Sequence, residues 1–249
     1  MIELHSVFAG YGKETVLKDL SAAIPDGALT GIIGTNGSGK STLLKTMLGM
    51  LPHRGCISID GACLPDLSRQ EIAKKAAYLA QGKATPDMTV EQLVLHGRFP
   101  HLHYPRQYSG KDRQIAISAM AQMGIGHLAQ KPLHTLSGGM RQKAYIAMAL
   151  AQGTDYILLD EPTTYLDISH QLGLMQTLRQ LADGGKGIAA VMHDLPLAFT
   201  YCDHILLLAD GRVLCSGTPR ELCCNPLIKK VFGVEIAPAA DAPRYHYRY

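Results

Sequence analysis

A glycine-rich loop separates two apolar segments near the start of the chain and constrains the fold more than any other feature. Residues 29–33 have the pattern of a buried strand, residues 43–48 have the pattern of a helix, and the loop over residues 34–42 reads GTNGSGKST. A strand that turns into a helix through such a loop leaves several backbone N–H groups unpaired around one concavity, which the helix dipole makes electropositive. The loop therefore predicts a phosphate-binding site.

The residue types of this loop suit a nucleoside triphosphate. Glycines allow the backbone to wrap around phosphate oxygens, Lys40 can reach the β- and γ-phosphates, and Ser41 can offer its hydroxyl to Mg²⁺. The pattern GxxxxGK[ST] is a Walker A loop, and it should arise by chance in about one chain in a hundred of this length. We therefore expect ATP to bind to Gly34, Thr35, Asn36, Gly37, Ser38, Gly39, Lys40, Ser41 and Thr42.

Two acidic residues follow a second apolar segment. Residues 156–159 read YILL, and Asp160 and Glu161 come directly after them. A buried strand of an α/β sheet delivers the side chains at its end to the ligand-binding edge of the sheet. Asp160 suits the Walker B role of holding Mg²⁺, and Glu161 can polarise a water molecule for attack on the γ-phosphorus.

Composition argues for a globular protein and against two other classes. The 249 residues are 47% hydrophobic, which is enough for one large domain or two small ones. The net charge of +3 is small, and no run of five basic residues occurs, so we expect no nucleic-acid partner. The sequence has no apolar run of about 18 residues and no basic leader at its start, so we expect a soluble, cytosolic chain.

Hydrophobic periodicity predicts an α/β fold. Short strands dominate the beginning, where residues 2–7 alternate as an edge strand would, and helical patterns dominate from residue 89 to about residue 152. Strand and helix patterns then alternate, which predicts a mostly parallel sheet covered on both faces. The tail from residue 236 onward has no periodicity, and we expect it to be loosely ordered.

A third motif stands before a helical pattern. Residues 136–142 read LSGGMRQ, so Ser137, Gly138 and Gly139 predict a second helix N-terminus able to bind an anion. Placed after the GTNGSGKST loop and before LLDEP, this segment resembles the signature of the ATP-binding-cassette (ABC) ATPases, and the resemblance runs nearly end to end. It implies a P-loop NTPase fold with a RecA-like, mostly parallel sheet core, an N-terminal antiparallel β subdomain and an inserted helical subdomain.

The resemblance also implies roles for residues outside the three motifs. Tyr11 resembles the aromatic residue that stacks on adenine, and Gln81 resembles the Q-loop glutamine that touches Mg²⁺ or the attacking water. His193 resembles the switch histidine at the γ-phosphate, and Asp167 resembles the D-loop aspartate that couples two nucleotide sites. The expected catalytic residues are Glu161, His193 and Gln81, and the expected Mg²⁺ ligands are Ser41, Gln81 and Asp160.

The implied organisation is a single ABC ATPase domain over residues 1–249. The core with its antiparallel β subdomain spans about residues 1–83 and 153–218, the helical signature subdomain spans about 84–152, and a C-terminal tail spans 219–249. In the family, the Walker A loop of one copy and the signature of another close on the same ATP. The resemblance therefore implies a homodimer.

Further segments resemble one branch of the family. TTYLDISHQ, MHDLPLA and the EQLVLHGRFPH stretch over residues 91–101 are most similar to ATPase subunits of bacterial iron-siderophore importers, with haem and cobalamin importers close behind. This resemblance implies two transmembrane permease subunits, an external substrate-binding protein acting through the permease, and a peripheral location on the cytoplasmic face of the inner membrane.

Some features depart from the family pattern, and other functions stay open. Met140 stands where the signature usually has Gln, Lys143 where Arg is frequent, and Ala80 where a proline is common before Gln81. One alternative is a soluble cassette ATPase of iron-sulfur assembly or translation. A small-molecule kinase and a non-hydrolysing ATP-binding module are further alternatives, although LSGGM disfavours the first and the presence of Glu161 and His193 disfavours the second.

Overall fold

Two sheets, one antiparallel and one mostly parallel, organise the chain. The computed structural model describes residues 1–82, 85–164, 166–223, 225–238 and 244–248. In chain order its elements are β1 (Ile2–Tyr11), β2 (Glu14–Ile24), β3 (Leu29–Ile33), α1 (Lys40–Met47), β4 (His53–Ile59), β5 (Ala62–Cys63), α2 (Arg69–Lys75), β6 (Ala76–Leu79), α3 (Val90–His96), α4 (Gly110–Gln122), α5 (Gly138–Gln152), β7 (Tyr156–Leu159), α6 (Ile168–Asp183), β8 (Gly187–Val191), α7 (Leu195–Tyr201), β9 (His204–Ala209), β10 (Arg212–Gly217), α8 (Pro219–Leu222), α9 (Pro226–Phe232), β11 (Glu235–Pro238) and β12 (Tyr245–Arg248).

The antiparallel sheet has the strand order β2-β1-β4-β5. Strand β1 pairs with β2 along one side and with β4 along the other, so the expectation of an edge strand over residues 2–7 is wrong. The alternation of buried and exposed residues in β1 reflects a sheet with one covered face, and this pattern is the same for a central and an edge strand. Strand β1 is central because β4, which follows α1 in the chain, pairs with its second side.

The second sheet has the order β10-β9-β3-β8-β7-β6. All neighbours are parallel except the antiparallel pair β9 and β10. Every residue of β3, β7 and β8 is buried, which is the reason these strands read as continuous apolar runs. The parallel strands all run in one direction, so their carboxyl ends meet at one edge, where the candidate site lies.

Two apolar cores cover the faces of this sheet. One face packs against α1 and the antiparallel sheet, through residues that include Leu20, Ile32, Leu43, Leu158 and Val191. The other face packs against helices, through residues that include Leu159, Met175, Leu178, Ala190 and Phe199. This layering confirms the expected ABC-type fold of a mostly parallel core with an antiparallel β subdomain.

The segment between β6 and β7 is helical, as expected. Helices α3, α4 and α5 pack against one another, and Thr89 and Ser109 form capping boxes that begin α3 and α4. Helix α5 begins after Ser137, whose hydroxyl accepts from the Met140 N–H, and ends at Gly153 in the left-handed conformation. The expected boundary of this subdomain at residues 83 and 84 lies outside the described residues.

The C-terminal residues contain regular structure that periodicity did not predict. Strands β11 and β12 pair antiparallel, and the ring of Tyr245 meets that of Phe199 in α7 edge-on at 5.6 Å. The expectation of a loosely ordered tail is therefore wrong for residues 236–238 and 245–248, while residues 239–243 and 249 lie outside the described part. Among the helices described, none is long and apolar enough to cross a lipid bilayer.

Candidate functional site

The glycine-rich loop links the end of β3 to the start of α1. Gly34 lies against the backbone of β9, since a Cβ atom there would stand 2.1 Å from the Leu208 carbonyl oxygen. Gly39 precedes α1 with a φ of 102°, a left-handed backbone that favours glycine. These two glycines let the chain reverse tightly enough to direct its N–H groups into one concavity.

Lys40 folds back over this loop. Its ammonium donates hydrogen bonds to the carbonyl oxygens of Gly34, at 2.8 Å, and of Thr35, at 2.9 Å. Burial lowers the pKa of Lys40, while the carboxylates of Glu161 and Asp160 act in the opposite direction. The lysine is therefore held in the concavity, where phosphate oxygens can replace the two carbonyls as its partners.

Ser38 gives a direct test of whether a phosphate fits. Its side chain is only 3% exposed, and its hydroxyl has no hydrogen-bond partner among the described residues. A buried hydroxyl without a partner costs about 1 to 3 kcal/mol. A phosphate oxygen in the loop would supply an acceptor, so the loop fits the group that the sequence predicts.

Asp160 lies at the end of β7, beside the first turn of α1. Its carboxylate accepts hydrogen bonds from Ser41 Oγ, at 2.8 Å, and from the Tyr78 hydroxyl, at 3.2 Å. Burial raises the pKa of Tyr78, and the neighbouring Asp160 carboxylate adds to this, so the phenol remains a proton donor. The serine and aspartate oxygens are hard donors of the kind that Mg²⁺ binds. Sequence reasoning missed Tyr78, although it directly precedes the LAQ segment.

Glu161 brings together residues from the ends of three neighbouring strands. Its Oε1 lies 2.7 Å from His193 Nε2, after β8, and its Oε2 accepts from Gln81 Nε2, after β6, at 2.5 Å. Thr164 Oγ1 donates to the same Oε2 at 3.0 Å, a contact that sequence reasoning missed. Glu161 has a φ of 51°, an uncommon backbone conformation for a residue with a side chain, and such strain clusters at functional sites.

The surroundings of Glu161 keep its carboxylate charged. Burial raises the pKa of Glu161, but hydrogen bonds from His193 and Thr164 and the charges of His193 and Lys40 outweigh this, so its pKa lies below the ordinary value. An ionised carboxylate can orient a water molecule and accept its proton. The group that the sequence nominated as the base therefore has the protonation state that this role needs.

These parts share one cleft. A cavity of about 600 Å³ is lined by Val16, Asn36, Gly37, Gly39, Lys40, Ser41, Thr42, Gln81, Glu161 and His193. Its volume lies within the usual range for small-molecule and cofactor sites. The structure thus places the Walker A residues beside the residues expected to be catalytic.

Tyr11 lies at the end of β1, outside the lining of this cleft. Its ring is 46% exposed, and Lys45 Nζ lies 5.8 Å from the ring centroid and 3.4 Å from the hydroxyl. An exposed aromatic ring can stack on a base. The position is compatible with the expected contact to adenine.

The signature residues and the D-loop aspartate do not belong to the cleft at Lys40, except that Gly138 lines a neighbouring cavity. Ser137, Gly139 and Asp167 do not line the cleft at Lys40, and Gly138 lines a second cavity of about 300 Å³ that also contacts Gln81 and Glu161. Asp167 instead begins α6, where its carboxylate accepts from the His170 N–H at 2.9 Å. Within one copy, the signature glycine Gly138 and the Walker A residues therefore line two different cavities, which share Gln81 and Glu161.

Comparison with known proteins gives a consistent result. A family model described as ABC transporter matches residues 17–164. The ferric enterobactin transport ATP-binding protein of Escherichia coli (strain K12) is 44% identical over 241 residues, which are 94% of this chain and 89% of that protein. The iron(3+)-hydroxamate import ATP-binding protein of Bacillus subtilis (strain 168) is 41% identical over 93% of this chain and 87% of its own length.

Solved structures resemble the fold over most of its length. An ABC transporter assigned to the metal-chelate type, in an inward-facing conformation, superposes with a TM-score of 0.85 at 25% identity and covers 100% of this chain and 97% of its own. A dimeric ATP-binding cassette bound to ADP and phosphate superposes with a TM-score of 0.74 at 29% identity, over 88% of this chain and 99% of its own. With the family model covering more than half of the chain and the motifs assembled as described, the chain belongs to the ABC transporter family, as an ATP-binding ATPase subunit.

Proposed function

We propose that this subunit hydrolyses ATP to power the import of iron-siderophore complexes into a bacterial cell. The observation that carries the proposal is the similarity, over nearly the whole chain, to ATP-binding proteins named for ferric enterobactin, iron-hydroxamate and petrobactin import. Cobalamin is the second candidate cargo, because a cobalamin import ATP-binding protein of Halobacterium salinarum is 38% identical, although this chain covers only 57% of that protein.

The site residues divide the chemistry among them. The loop N–H groups and Lys40 bind the β- and γ-phosphates, and Tyr11 stacks on adenine. Ser41, Asp160 and Gln81 would hold Mg²⁺, which would neutralise charge on the phosphates. Ser41 and Asp160 already share a hydrogen bond at 2.8 Å, so both oxygens are close enough to converge on one ion.

Glu161 acts on the attacking water. Its Oε2 is engaged by Gln81 and Thr164, and its Oε1 by His193. These donors take up three of the four acceptor positions of the carboxylate, so one position on Oε1 remains for a water. Oε1 accepts a water proton while the water oxygen attacks the γ-phosphorus, the bond between that phosphorus and the β–γ bridging oxygen breaks, and ADP leaves; His193, beside Oε1, faces the γ-phosphate.

The similarity to a dimeric ATP-binding cassette, together with a signature that lines a different cavity from Lys40, supports a homodimer. Ser137, Gly138, Gly139 and Asp167 of one copy meet the ATP held by the other, and the nucleotide joins the two copies. Hydrolysis removes the shared γ-phosphate and releases this closure. Two transmembrane permease subunits receive the motion at the cytoplasmic face of the inner membrane, and an external binding protein delivers the chelate to them.

A glutamine substitution at Glu161 tests the hydrolytic part. Glu161→Gln keeps the size of the side chain and one acceptor oxygen, but it replaces the other oxygen with an NH2 donor and removes the basic carboxylate. We expect phosphate release to fall by about 10² to 10⁴-fold, while ATP drives the variant into a stable dimer on gel filtration. A variant that hydrolyses ATP at the original rate would exclude Glu161 as the base.

Uptake by whole cells tests the cargo. A strain lacking this subunit should fail to accumulate radiolabelled iron presented as a ferric siderophore, and the intact gene should restore uptake while the Lys40→Ala gene should not. Cobalamin uptake measured in the same strains is the matched comparison. Normal ferric-siderophore uptake in the deletion strain, with loss of cobalamin uptake, would overturn the siderophore assignment in favour of the second candidate.

A further inference from the structure

His170 lies between the two segments that are expected to face a second copy of the chain. Helix α5 begins after Ser137 in the signature, and helix α6 begins after Asp167 in the D-loop. His170 belongs to the first turn of α6, and no step of the proposed hydrolysis uses it. Its side chain is 37% exposed, so it is neither a core residue nor a fully solvated one.

The imidazole ring packs directly on the second glycine of the signature. A Cβ atom at Gly139 would stand 2.3 Å from His170 Cδ2 and 2.9 Å from both Cγ and Nε2. Such distances are far below van der Waals contact, so the ring occupies the space that any side chain at Gly139 would need. Packing against His170 within the same chain therefore requires a residue without a side chain at position 139. This requirement is separate from any contact between Gly139 and the nucleotide.

The ring is also fixed from the D-loop side. His170 Nδ1 lies 2.7 Å from Asp167 Oδ1, and Ser169 Oγ donates to the same oxygen at 2.9 Å. Hydrogen bonds from the His170 backbone and side chain and from Ser169 lower the pKa of Asp167 to about 2, so it is a carboxylate at neutral pH. Nδ1 must then carry the proton and donate it. The bond to Asp167 at Nδ1 therefore holds the ring with its Cδ2 edge toward Gly139.

The adjoining residue holds the D-loop backbone. Gln171 Nε2 donates to the carbonyl oxygens of Thr163, at 3.3 Å, and Leu166, at 3.0 Å. The D-loop is thus secured to α6 by Gln171 and at Asp167 by His170. The ring of His170 then joins this unit to α5, which otherwise packs with α3 and α4.

We propose that His170 is a positioning residue that holds the D-loop aspartate and the signature loop as one preformed surface for the ATP bound to a second copy. The inference rests on the homodimer of the proposed function. A surface ordered before association loses less conformational entropy when the copies close on ATP, and a small displacement of catalytic groups is enough to slow a reaction strongly. His170 does not itself line the Lys40 cleft.

Dimerisation in a hydrolysis-deficient background tests this. In Glu161→Gln protein, adding His170→Ala should leave the affinity of the monomer for a fluorescent ATP analogue unchanged. The ATP concentration that gives half-maximal dimer in sedimentation velocity should rise by about tenfold or more. His127→Ala, at an exposed histidine of the helical segment, is the matched control and should change neither value.

The outcomes separate the two proposals. If Glu161→Gln alone does not dimerise with ATP, the homodimer of the proposed function is wrong. If it dimerises and His170→Ala dimerises equally well, only the inference about His170 is wrong. His170→Asn keeps an N–H donor near the position of Nδ1, and we expect it to recover part of the loss.

A double-mutant cycle tests the steric contact itself. Gly139→Ala should reduce ATP turnover strongly, because the new methyl group displaces the ring. In the His170→Ala background the same substitution should have a clearly smaller effect, since the space is free. Circular dichroism confirms that all four proteins are folded. If Gly139→Ala reduces ATP turnover by the same factor in both backgrounds, contact with His170 is not the reason that position 139 requires glycine.

Discussion

Arg98, in the GRFPH stretch, is the side chain whose loss should destabilise the fold most clearly. It is 8% exposed, and its Nε donates to Asp112 Oδ1 in α4 at 3.0 Å. Its Nη1 donates to the Ala151 carbonyl at the end of α5, at 2.8 Å. One guanidinium therefore neutralises a buried carboxylate and satisfies a helix C-terminus that would otherwise lack a partner.

Arg98→Met keeps the apolar stem and removes these interactions. Removing one partner of a buried ion pair costs about 3 to 5 kcal/mol, because the remaining charge is buried without compensation. Asp112 also accepts from Ser109 N–H, at 3.0 Å, and Ser109 Oγ, at 2.6 Å, so part of its charge stays stabilised. We therefore predict a loss near the lower limit, about 3 kcal/mol, which for a domain of this size lowers Tm by about 6 to 12 °C.

Urea unfolding followed by circular dichroism measures this free energy. Arg106→Met is the matched control, because Arg106 is exposed and its guanidinium lies 4.7 Å from the ring centroid of Phe99, so its loss should cost less than about 1 kcal/mol. In the double variant that combines Arg98→Met with Asp112→Asn, the loss of unfolding free energy should be smaller than the sum of the losses in the two single variants. An Arg98→Met protein within about 1 kcal/mol of the parent would refute the reasoning.

Three further predictions concern ATP and pH. Lys40→Ala should abolish tight ATP binding, and calorimetry showing the original affinity would contradict its phosphate role. Tyr11→Ala should weaken ATP binding by about 1 to 3 kcal/mol with little change in turnover, and an unchanged Kd would exclude stacking. Hydrogen bonds from Ser109 and Arg98 lower the pKa of Asp112 to about 2, so its stabilisation is complete above about pH 4 and is lost as pH falls toward 2. Asp112→Asn should flatten the free energy of unfolding over that interval, and an unchanged slope would contradict it.

The residues of the candidate site could be predicted because each of its parts is local in the chain. The glycine-rich loop needs only a strand before it and a helix after it, and Asp160 and Glu161 need only the end of a buried strand. Parallel strands then bring Gln81, Glu161 and His193 to one edge without further information, since their carboxyl ends coincide. The glycine-rich loop, the two carboxylates and the core of the fold therefore follow from local patterns plus one rule of sheet geometry, whereas Gln81 and His193 were nominated through the resemblance to ABC ATPases.

Pairing between distant segments could not be predicted in this way. Strand β1 was expected at an edge but is central. Residues 236–238 and 245–248 were expected to be irregular but form paired strands. A strand is stabilised by its neighbours as much as by its own residues. A short segment without clear alternation can still be ordered when a partner strand and a packing surface lie beside it.

The sequence by itself determined the family, the layered α/β architecture and the identity of the side chains that are expected to bind and hydrolyse ATP. Only the tertiary structure decided their supporting contacts, which are Tyr78 on Asp160, Arg98 at the end of α5 and the His170 ring on Gly139. Each of these contacts joins residues far apart in the chain. Hydrogen bonds and steric exclusion act over only a few ångströms. The distances between residues far apart in the chain are set only when the chain folds, so a sequence pattern does not predict these contacts.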